Sequence, residues 1–187
     1  MYTSVVVAKL YQEEPSLIVN LALTYGIMTV LVNMPSVWLV ENYGVQKSLQ
    51  YSAMGHILGA VLRLLAFWLL ESPGYAYIGQ VLIACNLVVQ SNCWTKFGMQ
   101  WYPDYQQNSI QAYLSLAQIM GYVITAIVSP LFIQKDDHLN PEEGFTNMRN
   151  YLFLTVALAV VFNLGILFKL KTPPSVSPSK KFELSKR

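Results

Sequence analysis

Long uncharged runs alternate with short polar intervals along this 187-residue chain. Runs of about 17 to 25 residues, the length that crosses roughly 30 Å of hydrocarbon as a helix, fall at 16–40, 48–70, 75–95, 109–133 and 150–168. The pattern predicts an all-α, polytopic membrane protein of five transmembrane helices. Glu41 to Lys47, Glu71-Ser-Pro-Gly74, a stretch from Lys96 to Asn108 with Pro103, and a polar loop over 134–149 punctuate the runs. Residues 1–15 read as the end of a truncated helix or an extracellular loop, 16–170 as the membrane domain, and 171–187, rich in Pro, Ser and Lys, as a disordered cytoplasmic tail. Within the spans only Arg63 breaks the run with charge. It lies two turns before Glu71, and the reading adopted is a side chain that snorkels to that interface.

Neutral polar residues inside the spans are patterned as well. In the fourth span Gln111, Ser115, Gln118, Tyr122, Thr125 and Ser129 recur at intervals of 4, 3, 4, 3 and 4, which puts them on one helical face. Other faces carry Leu114, Leu116, Ile119, Val123, Ile124 and Ile127. Such a stripe cannot face lipid, where an unsatisfied amide costs several kcal/mol. It either bonds a neighbouring helix or lines a cavity, and six positions exceed what one packing seam needs. The third span holds Asn86 and Gln90 one turn apart, with Gln80 and Cys93; the first holds Asn20, Thr24, Thr29 and Asn33, with Gly26 and Pro35 supplying a bend.

Composition agrees with a bilayer: 54% of residues are hydrophobic and 12% charged, against about 25% charged in soluble domains. A soluble enzyme is excluded, and a net charge of +2 without an aromatic-studded basic face excludes nucleic acid as a partner. Lys47, Lys96, Lys169, Lys171, Lys180, Lys181, Lys186 and Arg187 fall on one side of the spans, against Lys9, Lys135 and Arg149 on the other. Eight against three predicts a cytoplasmic C-terminus and an outside N-terminus, with the plasma membrane as the expected location. Trp38, Trp101 and Tyr102 would mark the inner interface, and Trp68, Tyr75 and Tyr77 the outer one. Cys85 and Cys93 lie about 12 Å apart along one helix, too far to pair.

Parts for chemistry are missing. The chain has no Ser/His/Asp set, HExxH, phosphate-binding loop or CxxC, so an enzyme is not expected, nor a metal or other cofactor. His56 reads as a packed polar residue and His138 as a structural loop residue. Apart from His56, Arg63, tyrosines and cysteines, the spans hold nothing ionisable for a proton relay.

Two stretches carry a resemblance. Met34-Pro-Ser-Val-Trp-Leu-Val-Glu-Asn-Tyr-Gly44 resembles the segment between helices 2 and 3 of major facilitator transporters, and specifically of the feline leukaemia virus subgroup C receptor-related family. Gly79-Gln80, Thr95-Lys96-Phe-Gly-Met-Gln-Trp-Tyr-Pro103, Leu116-Ala-Gln-Ile-Met-Gly121 and Pro130 are similar to that family's helices 4 and 5. The resemblance covers roughly residues 16–170. It implies that the spans are helices 2 to 6 of an N-terminal lobe, with helix 1 and a second six-helix lobe elsewhere in a full-length protein. It implies alternating access around a midplane cavity, with haem, choline or ethanolamine as substrate classes. Gln118 is similar to the family's pocket glutamine, and Glu41, Gly44 and Lys47 resemble its inner-gate loop. The chain departs from the family's arginine-bearing turn at Glu41-Asn-Tyr-Gly and again at Gln106-Gln-Asn.

Two functions follow. One is transport of a small organic solute, with Gln118, Tyr122, Asn86, Gln90 and Asn33 as candidate solute contacts and Glu41, Gly44 and Lys47 as candidate gate. The alternative is a non-transporting, half-length membrane protein that packs with or regulates a full-length relative. Gly55 and Gly59 form the Gly-x-x-x-Gly spacing that allows close helix approach, either within a lobe or between chains.

Overall fold

The computed structural model describes residues 15–70, 73–133 and 141–169. Among them every regular element is helical: α1 Pro15–Leu65, running on into a π-helical turn Ala66–Leu70, α2 Pro73–Trp101, α3 Gln107–Phe132 and α4 Pro141–Lys169. Three of these helices open on proline, whose missing N–H and fixed φ cost nothing in a first turn. Glu142 and Glu143 follow in α4, where the positive end of the helix dipole favours them.

The expected loop over 41–47 is instead one residue. α1 stays helical through this interval except at Gly44, with φ 79° and ψ 164°, a conformation open essentially to glycine alone. The chain turns back there. Ser48 Oγ donates to the Leu39 carbonyl at 3.4 Å, although nine residues of straight helix would set them about 13 Å apart. The two arms, α1a over 15–43 and α1b over 45–65, therefore form a hairpin.

α2 runs antiparallel to α1b: Gly79 lies against Gly59, and Asn86 against Gly55. α4 is antiparallel to α1b as well, with Gln50 Nε2 donating to the Leu167 carbonyl and Phe67 meeting Phe145. Two apolar clusters close opposite ends of this bundle. Val40, Val45, Leu49 and Cys93 close the turn end, and Leu64, Ala66, Phe67, Ala76, Ile133, Met148 and Leu152 the other. Between them the helices touch through small residues, as membrane helices do when packing rather than water drives association.

Three helical stretches are long and apolar enough to cross a membrane: Leu23–Trp68, Gln107–Phe132 and Glu142–Phe168. Five separate spans were expected, and the difference has two causes. Leu23–Trp68 contains two expected spans fused through Gly44, and α2 is diluted by Gln80, Asn86, Gln90, Ser91, Asn92, Thr95 and Lys96. Another correction concerns the polar loop expected over 134–149, which is helical from Pro141 onward. Large apolar side chains such as Val30, Met34, Leu131 and Phe168 stand outward, more than 70% exposed, as a surface facing hydrocarbon would. The expected tail over 171–187, the leading residues 1–14 and His138 lie outside the described residues.

Candidate functional site

Near the turn, α1a and α2 run side by side and share a polar junction. Asn92 Nδ2 donates to Asn33 Oδ1 at 2.9 Å and to Ser36 Oγ, while Ser36 Oγ donates to the Asn33 carbonyl at 2.7 Å. One turn further along α2, Lys96 Nζ pairs with Glu41 Oε1 at 3.6 Å. Glu41 is 59% exposed, so the pair contributes at most about 1 kcal/mol. Gly44 lies directly beyond it.

Asn86 serves a different purpose. Its Nδ2 donates to the Leu82 carbonyl of its own helix at 2.7 Å, and its backbone carbonyl accepts from Ser52 Oγ at 3.2 Å. A Cβ at Gly55 would come within 2.5 Å of the Asn86 amide, and one at Gly59 within 2.9 Å of the Gly79 carbonyl. The Gly-x-x-x-Gly pair is thus filled by α2 of the same chain, and not left free for a second one.

α3 stands apart. Along the polar stripe only Ser129 is buried; Gln111, Ser115, Tyr122 and Thr125 are exposed and Gln118 is half-buried. Gln118 Nε2 donates to Tyr122 Oη at 3.0 Å, one turn on, and Thr125 Oγ1 bonds back to the Gly121 carbonyl. From Gln111 to Thr125 the stripe is not buried against another helix among the described residues. Its amide and phenol are held together on an open face, each with hydrogen-bonding capacity left over.

Of the residues singled out from sequence, the structure joins Gln118 to Tyr122, and Asn33 to Asn92 rather than to Gln90. Gln90 is half-buried on α2, and Asn86 is spent in the α1b–α2 seam. Of the candidate gate residues, Glu41 takes Lys96 as its partner, Gly44 makes the turn and Lys47 is exposed. Asn92, Ser36 and Lys96 are the residues missed. Asn92 and Lys96 sit one turn apart, and the parallel run Asn33, Ser36, Glu41 offers matching acceptors, a signal visible only once α1a and α2 are aligned. Among the described residues no group of His, Cys, Asp or Glu could hold a metal.

No protein-family model matches the chain. Individual proteins do. The chain is similar to solute carriers. It is 24% identical over 165 residues to solute carrier family 49 member A3 of Xenopus tropicalis, covering 84% of this chain and 33% of the relative. With the member A3 protein of Danio rerio it is 26% identical over 165 residues, covering 85% and 34%. It therefore spans about a third of the length of these curated relatives. Together with the long apolar helices, this likeness makes the chain a membrane protein whose relatives are carriers, not enzymes.

Proposed function

We propose that the chain forms part of a carrier that moves a small organic solute across the plasma membrane by alternating access. The observation that carries this reading is the open polar face of α3. A helix apolar enough to span the bilayer presents Gln118 and Tyr122, bonded to each other, to a space that no helix among the described residues fills. Lipid cannot fill it without leaving these groups unsatisfied. A solute cavity, completed by a further lobe and a further helix, satisfies them and accords with relatives about three times as long.

In this reading the hairpin at Gly44 makes α1 two crossings. With α2, α3 and α4 there are then five, corresponding to helices 2 to 6 of a major facilitator lobe. Lys47, Lys96 and the end of α4 share the end of the bundle closed by Val40 and Cys93, which is the cytoplasmic end by the positive-inside rule. Glu41, Lys96 and Gly44 form the inner gate there, with Lys47 beside them. Haem, choline and ethanolamine are the substrate classes to try first. Radiolabelled uptake of the three into proteoliposomes containing the chain together with the further helix and lobe tests the reading. Saturable uptake of one of them is expected, and uptake of all three no faster than into protein-free liposomes would overturn it.

A further inference from the structure

Between α1b, α2 and α4 lies a cavity of about 110 Å³, separate from the face of Gln118 and Tyr122. Ile83, Leu152 and Ala159 form apolar wall, and His56, Arg63 and Thr155 bring polar atoms to it. His56 and Arg63 are seven residues apart on α1b, two turns along one face. The stem of Arg63 is pinned against α2, since a Cβ on Gly79 would come within 2.6 Å of Arg63 Cγ. The cavity is a product of the close glycine crossing.

Among the described residues, one polar atom in it lacks a partner, and one charge in it lacks a counter-ion. His56 Nδ1 is buried with no hydrogen-bond partner. Arg63 carries five N–H donors on a permanent charge; the Tyr151 phenol of α4 acts on it electrostatically, and no ion pair joins it to a carboxylate among the described residues. Thr155 offers no proton, because its Oγ1 donates to the Leu152 carbonyl at 2.8 Å. Instead of snorkelling outward, Arg63 lines this interior cavity, and an arginine so placed in a membrane span pairs with an anion or with backbone carbonyls. Positive charge and a spare imidazole nitrogen at one side, with aliphatic wall at the other, complement an oxyanion that has a short apolar body.

We propose that this cavity binds a small organic oxyanion, with its carboxylate or phosphate oxygens held by Arg63 and His56 and its apolar portion against Ile83, Leu152 and Ala159. A free monocarboxylate and the phosphate of an anionic lipid share this chemistry. The site is independent of the transport reading, because binding is measured without flux.

The test uses the full chain in phosphatidylcholine nanodiscs, with unfolding temperature followed by tryptophan fluorescence. One arm titrates butyrate; the other replaces part of the lipid with phosphatidate. A saturable rise in unfolding temperature is expected in at least one arm, the butyrate arm marking a soluble ligand and the phosphatidate arm a lipid. Arg63→Gln should weaken the apparent affinity about tenfold or more, through loss of a charge-assisted bond. Ala159→Leu fills the cavity while leaving Arg63 in place, and should weaken it comparably even if Arg63→Gln does not fold. Absence of a rise in both arms would overturn the proposal, as would a rise unchanged in the folded variants. So would binding that appears only in Glu71→Gln, which would make that carboxylate the counter-ion of Arg63.

Discussion

Asn92 on α2 reaches across to Asn33 on α1a, amide to amide, at 2.9 Å, and the same nitrogen serves Ser36. This bond holds the first arm of the hairpin against a helix that enters the chain some sixty residues later. Interhelical hydrogen bonds in membranes are worth about 0.6 kcal/mol and at most about 1.7. Asn92→Leu should therefore destabilise the protein by about 1 kcal/mol in denaturant titrations in detergent. Adding Asn33→Leu should cost less than the sum of the two single changes, the sign of a shared bond. Strict additivity would show that the two amides do not interact.

Gly44 is the residue on which the hairpin turns. A side chain there must adopt φ near 79°, at a cost of about 1–3 kcal/mol. Gly44→Ala should lower stability by that amount although nothing lies within 4 Å of the added carbon. Gly26, helical and equally open, is the internal control, and Gly26→Ala should be neutral or raise stability by up to about 1 kcal/mol. Equal responses at the two glycines would mean that the turn is made elsewhere.

How far these features could be read in the sequence depends on their range. α3 was legible nearly to the residue, because its apolar length and its polar period are both local. A turn within 41–47 was legible from its charge, but its confinement to Gly44 was not, since a positive φ leaves no trace beyond the glycine itself. Asn86 has the look of a cavity residue, but asparagine within a helix can bond its own preceding turn, and here it does, to Leu82. Gly55 and Gly59 announce a close approach without naming the partner. That partner, Gly79, is fixed only by the register of α1b against α2. The Asn33–Asn92 junction is invisible for the same reason.

The proposed membrane orientation, with Lys47 and Lys96 on the cytoplasmic side, rests on the positive-inside rule. A cysteine introduced as Asn140→Cys, with Cys85 and Cys93 replaced by alanine, should react with an impermeant maleimide applied to intact cells. Reaction only after permeabilisation would reverse the assigned topology and move Lys47 and Lys96 to the outer face.

The central claim is that the open face of α3 holds the solute. The measurement is uptake into proteoliposomes by Gln118→Leu and Tyr122→Leu, each in the carrier completed by the further helix and lobe, at matched amounts of folded protein. Gln118 both donates and accepts, which suits a haem propionate or another polar group, whereas the ring of Tyr122 suits a quaternary ammonium through cation–π attraction. Gln118→Leu should cut uptake of a carboxylate-bearing solute about tenfold, the loss of one hydrogen bond to a charged group. Tyr122→Leu should cut uptake of choline more than Gln118→Leu does. Wild-type uptake of every transported solute by both variants would contradict it and leave the stripe as a surface for packing alone.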